Sequence, residues 1–243
     1  AEGAAAGLIV DATSASDNVT GFEAYREITG SAFGDRILLS GLATVISEDD
    51  DADRPWVETG RGDDLVAGSA AGEEMFGEEG RDTVDGGAGS DTLSGGDGDD
   101  IVRGGAGNDE IAGDDGADRI DGGMGDDIID GGAGVDRLVG GEGNDVLITG
   151  EDYRHEAHLG ALDGGGGDDT LLADWGEAIA GGEGTDTLSI YGSYSDRAAI
   201  DVDFSKPVTV MGGAISGIER IGGLWLSDRA DHVSLGPVLM TEG

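Results

Sequence analysis

Carboxylates return every nine residues through the middle of this 243-residue chain, each two residues ahead of an apolar side chain. Asp64, Glu73, Asp82, Asp91, Asp100, Asp109, Asp118, Asp127, Asp136 and Asp145 hold one phase. Val66, Met75, Val84, Leu93, Val102, Ile111, Ile120, Ile129, Leu138 and Leu147 hold the other. After a break, Asp169 and Asp186 repeat the arrangement. Regularly spaced carboxylates among glycines suit the coordination of a hard cation, and Ca²⁺ in particular takes its ligands from carboxylates and backbone carbonyls. The expected metal ligands are Asp64, Asp82, Asp91, Asp100, Asp109, Asp118, Asp127, Asp136, Asp145, Asp169 and Asp186, serving several calcium ions. Glu73 is left out because its unit, GSAAGEEMF, lacks the second and fourth glycines of the others.

The elements that must position these groups follow from the unit itself, Gly-Gly-x-Gly-x-Asp-x-aliphatic-x, which runs from Thr59 to Ile148 in ten uninterrupted copies. Good examples are GGAGSDTLS at Gly86, GGAGNDEIA at Gly104 and GGEGNDVLI at Gly140; GGGGDDTLL at Gly164 and GGEGTDTLS at Gly181 follow the break. Polar or small residues flank the aliphatic position, the alternation of a very short strand with one inward side chain. The six preceding residues must turn the chain, and glycines at positions one, two and four supply positive φ and close backbone approach. One buried aliphatic side chain cannot offset the ordering of nine residues, so metal binding would have to contribute to folding.

Composition points the same way. Acidic residues outnumber basic ones 53 to 13, a formal charge of −40, so the compact chain would repel itself without bound cations. Nucleic acid and anionic lipid are poor partners for such a surface. There is no cysteine, hence no disulfide framework and no zinc thiolate site. No apolar run approaches a transmembrane span, and no basic-then-apolar signal opens the chain.

Five regions are expected: larger β-helix coils or a cap over 1–58, the array over 59–148, an inserted loop over 149–163, a second repeat block over 164–189, and further coils or a cap over 190–243. The flanks share an alternating stretch, a Gly-x-Glu and an Asp-Arg before a last apolar stretch, as larger coils continuing the stack would. Asp49–Arg54 reads as a solvated charge run. The insertion holds Tyr153, Arg154, His155 and His158, but His-Glu-Ala-His is one residue short of the zinc-protease pattern, and no nucleophile elbow or phosphate loop occurs elsewhere. No catalytic residue is assigned.

The repeated units resemble the RTX nonapeptide repeats of type I-secreted bacterial proteins, a class that includes toxins, metalloproteases, lipases, adhesins and surface-layer proteins. The resemblance implies an all-β, right-handed parallel β-roll or β-helix solenoid with larger irregular coils at both ends. Two nonapeptides would make one coil, with Ca²⁺ held between turns stacked two repeats apart. One row would then hold Asp64, Asp82, Asp100, Asp118 and Asp136, and the other Glu73, Asp91, Asp109, Asp127 and Asp145. The short stretch ADWGEAIA should distort the coil between Asp169 and Asp186. The function implied is a secreted or cell-surface calcium-binding module that folds outside the cell and serves structure, adhesion or assembly. Its partners would be calcium, other copies of itself or cell-surface polysaccharide. Alternatives are an accessory or catalytic part of a secreted enzyme acting on polysaccharide or protein, with Trp56, Trp175, Tyr191, Tyr194 and Trp225 shaping a cleft, and a surface-layer or fibre subunit.

Overall fold

A computed structural model describes residues 9–11, 27–31, 36–38, 54–150, 160–173, 178–190, 201–203, 208–210, 213–224, 232–234 and 239–240. They form an all-strand parallel β-solenoid of about seven turns, with no helix among them. From Ile9 to Ile190 successive strands alternate between two sheets, which have eleven strands each; Asp201–Asp203 and His232–Ser234 pair in a small third sheet. The first sheet contains the strands Leu65–Ala67, Thr83–Ala88, Ile101–Ala106, Arg119–Met124 and Arg137–Glu142; the second contains Trp56–Gly60, Glu74–Phe76, Thr92–Asp97, Glu110–Asp115, Ile128–Asp130 and Val146–Ile148.

Strand neighbours are two units apart, so Val84 lies beside Val102 and Ile111 beside Ile129. That 18-residue register follows from the sequence phase. Every unit turns its position-eight side chain inward, and these side chains make one continuous buried core from Ile37 to Ile221. A one-residue slip would expose the whole aliphatic row and bury its polar neighbours. Strands in both flanks join the same sheets: Arg36–Leu38 pairs with Leu65–Ala67, and Arg220–Leu224 pairs with Thr187–Ile190. One pair, Val208–Val210 with Gly213–Ser216, is antiparallel.

The insertion departs from the expected loop. Ala161–Gly166 is a strand of the first sheet, with Leu162 buried between Leu138 and Ile179. At the other end, Gly150 has φ 78° and approaches Gly132 as a position-two glycine does. Thr149–Asp163 is therefore a stretched repeat whose positions one, two, seven, eight and nine remain in the coil, and the register step there is 24 residues instead of 18. A nine-residue count hides this, whereas the sheets need only a buried side chain at the right height. Trp175, Tyr191, Tyr194, Trp225, Asp49–Asp53 and Tyr153–His158 lie outside the described residues. Trp56 is on the outer face of the second sheet, its ring 4.6 Å from that of Phe76.

Candidate metal-binding rows

Position six ends each turn, and both sheets carry its carboxylates inward along an edge of the solenoid. Two rows result. The first stacks Asp64, Asp82, Asp100, Asp118 and Asp136; the second stacks Glu73, Asp91, Asp109, Asp127, Asp145, Asp169 and Asp186. Each aspartate from Asp82 onward accepts, through Oδ1, the backbone N–H of its counterpart one coil earlier, at 2.7–3.0 Å. The other oxygen, Oδ2, is buried without a hydrogen-bond partner in all eleven aspartates expected as ligands. Eleven orphaned acceptors in one small fold cannot stand as neutral packing, because a buried unsatisfied polar group is costly and a buried charge more so.

The surroundings of these oxygens explain the first glycine of the unit. A methyl group on Gly104 would sit 2.3 Å from Asp109 Oδ2 and 2.6 Å from the carbonyl oxygen of Gly122, and Gly86, Gly122, Gly140 and Gly164 are equally confined. Glycines at positions two and four, such as Gly105 and Gly107, have φ of 110° and 129°. No position-one glycine of the array does, so that position is reserved by space and not by backbone angle. Carboxylate and carbonyl oxygens thus face one another with no donor between them. Among the described residues no three His, Cys, Asp or Glu side chains converge, so a cation in the rows would need backbone carbonyls to complete its shell. That donor set, hard oxygen throughout, fits Ca²⁺.

Burial raises the proton affinity of these carboxylates. Asp82, Asp91, Asp118 and Asp127 are pushed up from 3.8 to about 7, chiefly by desolvation, with like charges in the same row adding to it and the backbone N–H bond opposing it. Asp100, Asp109, Asp145, Asp169 and Asp186 shift upward for the same leading reason.

The row ends are built differently. Glu73 accepts hydrogen bonds from the Ser69 hydroxyl and the Ser69 backbone N–H, so its carboxylate is served by its own turn. Thr59, at position one of the first unit, donates its hydroxyl to the Gly77 carbonyl at 2.6 Å. Among the described residues the first row ends at Asp136, because Gly160, which has no side chain, occupies position six of the stretched repeat. The second row runs on. The shortened coil keeps the ladder, with Asp169 N–H donating to Asp186 at 3.0 Å, and Asp186 N–H then donates to Glu219.

Two features were not foreseen. Glu219 stands two residues before buried Ile221, the same carboxylate-x-aliphatic spacing as the repeats, and that spacing could have revealed it. Position five forms a second, exposed ladder of opposite sense: Asn108, Asp126, Asn144 and Asp168 each accept the position-five N–H one coil later, at 2.8–3.1 Å. Its signal was the frequency of Asp, Asn and Ser at that position.

A family model described as RTX calcium-binding nonapeptide repeat (4 copies) matches residues 56–84, 76–111, 103–138, 112–147, 130–152 and 161–178. Among curated proteins, none matches the chain.

Proposed function

The chain belongs to the RTX calcium-binding nonapeptide repeat family, and on that premise we propose that it is a structural module, secreted or displayed at a bacterial cell surface, whose two rows take up Ca²⁺ and fold as they do so. The matched repeats are a calcium-binding structural module and not catalytic by themselves. The observation that carries the reading is the set of eleven buried Oδ2 atoms that accept no hydrogen bond. Asp64, Asp82, Asp100, Asp118 and Asp136 would hold the ions of one edge, and Asp91, Asp109, Asp127, Asp145, Asp169 and Asp186 those of the other. Carbonyls of the position-one glycines would complete the shells. A bound divalent ion supplies the positive charge that neutralises these carboxylates.

In a calcium-poor cytoplasm the carboxylates would repel one another and the chain would remain open; in millimolar calcium it would become a stiff rod suited to spacing, adhesion or assembly. Limited proteolysis with calcium, with magnesium at equal concentration and with chelator tests this reading. Protection should appear with calcium and be weak with magnesium, which demands octahedral geometry and dehydrates reluctantly. Equal protection in all three samples would reject it.

A further inference from the structure

The outer face of the second sheet departs from the polar pattern of a solvated strand. Position-nine residues stack across it in the order Phe76, Ser94, Ala112, Asp130 and Ile148. Ser94 and Ala112 are small, so Phe76 on one side and Ile128 and Ile148 on the other bound a shallow depression of about 430 Å³. Ile128 is 50% exposed on its rim. Glu110 and Asp130 border the same space.

A second depression, about 630 Å³, opens on the adjoining turns and shares Ser94 and Asp114 with the first. Five carboxylates line it. Glu79, Asp97 and Asp115 stack at position three in successive coils, and among the described residues only Glu79 is engaged by an arginine, Arg61 at 3.0 Å. Like charges directly opposed across a sheet oppose folding. Glu78 and Asp114 replace the position-two glycine and adopt φ of 71° and 72°, a left-handed backbone that disfavours side chains. Both flank one trough around Gly96.

We propose that this composite trough docks a cationic amphipathic peptide segment of another protein, its apolar side chains seated between Phe76 and Ile128 and its lysines or arginines over Glu78, Glu79, Asp97, Asp114 and Asp115. Charge complementarity selects this occupant. A second copy of a chain carrying −40 would bring like charge to the site, a neutral glycan would leave the carboxylates unanswered, and a free metal ion would leave the apolar half uncovered.

The test uses the full chain in millimolar calcium, with folding verified by circular dichroism. The probes are a short amphipathic Leu-Lys peptide and a Ser-Lys peptide of equal charge, with affinity read by fluorescence polarisation. The Leu-Lys peptide should bind at least about tenfold more tightly. Glu78→Gly with Asp114→Gly, which restores the repeat's own glycines, and separately Ile128→Thr, should each weaken it several-fold. Asp85→Asn with Asp121→Asn, on the outer face of the first sheet, removes the same charge and should leave binding unchanged. The proposal is overturned if the folded protein does not bind the Leu-Lys peptide, if the two peptides bind alike, or if the first-sheet pair weakens binding as much as the trough variants. Binding of chitosan oligomers by a protein that ignores the peptide would assign the surface to glycans and overturn it equally. All these outcomes are read on folded, calcium-loaded protein, so they leave the calcium reading untouched.

Discussion

Asp109 shows what one residue contributes. Its Oδ1 fixes the coil spacing through the Asp91 N–H, while its Oδ2 lies bare beside a carbonyl. Asp109→Asn keeps the first role and replaces the bare oxygen with an N–H donor. Two effects of opposite sign should follow: weaker calcium binding, and a more stable fold in chelator, because a buried unpaired charge has been removed. Glu73→Gln should change calcium binding little, since Ser69 already serves that carboxylate. Calcium titration and chelator melts of the two variants check both statements. The glycines give a second contrast. Gly104→Ala must push into two oxygens and should cost about 1–3 kcal/mol or more, whereas a Cβ on Gly166 meets nothing nearer than a Glu142 oxygen at 3.5 Å and should be tolerated. Urea unfolding in calcium separates them. Proton linkage has a definite sign. Asp82, Asp91, Asp118 and Asp127 hold protons up to about pH 7 in the metal-free fold but release them near 3.8 when unfolded. The folded state therefore binds more protons between these values, and the metal-free fold loses stability as pH rises from about 4 to about 7. In chelator the β signal should be greatest below pH 4 and fall across that window. A chelated β signal that grows from pH 4 to 7 would contradict the linkage.

At the scale of elements, the repeat made strand, turn and register legible before any coordinates. Position eight marks the buried core residues from Val66 to Leu147, and the two rows follow from placing two units in each coil. The stretched repeat was harder. Leu162 keeps its place in the core although six more residues than in an ordinary unit separate it from Gly150, and nine-residue counting cannot see a repeat whose middle has grown. Deleting Glu151–Glu156 restores the 18-residue step and should preserve calcium-driven folding. Replacing all of Thr149–Asp163 with a polar linker removes Leu162 and should cost about 2–5 kcal/mol, the range for emptying a buried leucine site. Comparing the two deletions by thermal unfolding in calcium distinguishes a coil with an excursion from a loop outside the stack. Glu219 was hidden for a related reason: Ala214 and Ile215 stand where the unit has its first two glycines, which masks a carboxylate at the repeat's own distance from Ile221.

For the molecule as a whole, a narrow aliphatic core, eleven carboxylate oxygens without hydrogen bonds and a charge of −40 would make folding and metal binding one equilibrium. Each coil touches only its neighbours, so filling one site should favour the next and the transition should be steep. The direct test is a calcium titration of the chelated full chain at pH 7.5, followed together by circular dichroism, small-angle scattering and metal content. The account predicts an expanded chain that gains β-structure and contracts cooperatively as several ions bind, with magnesium failing to reproduce the change. Full β-structure and a compact radius in excess chelator at that pH would contradict it.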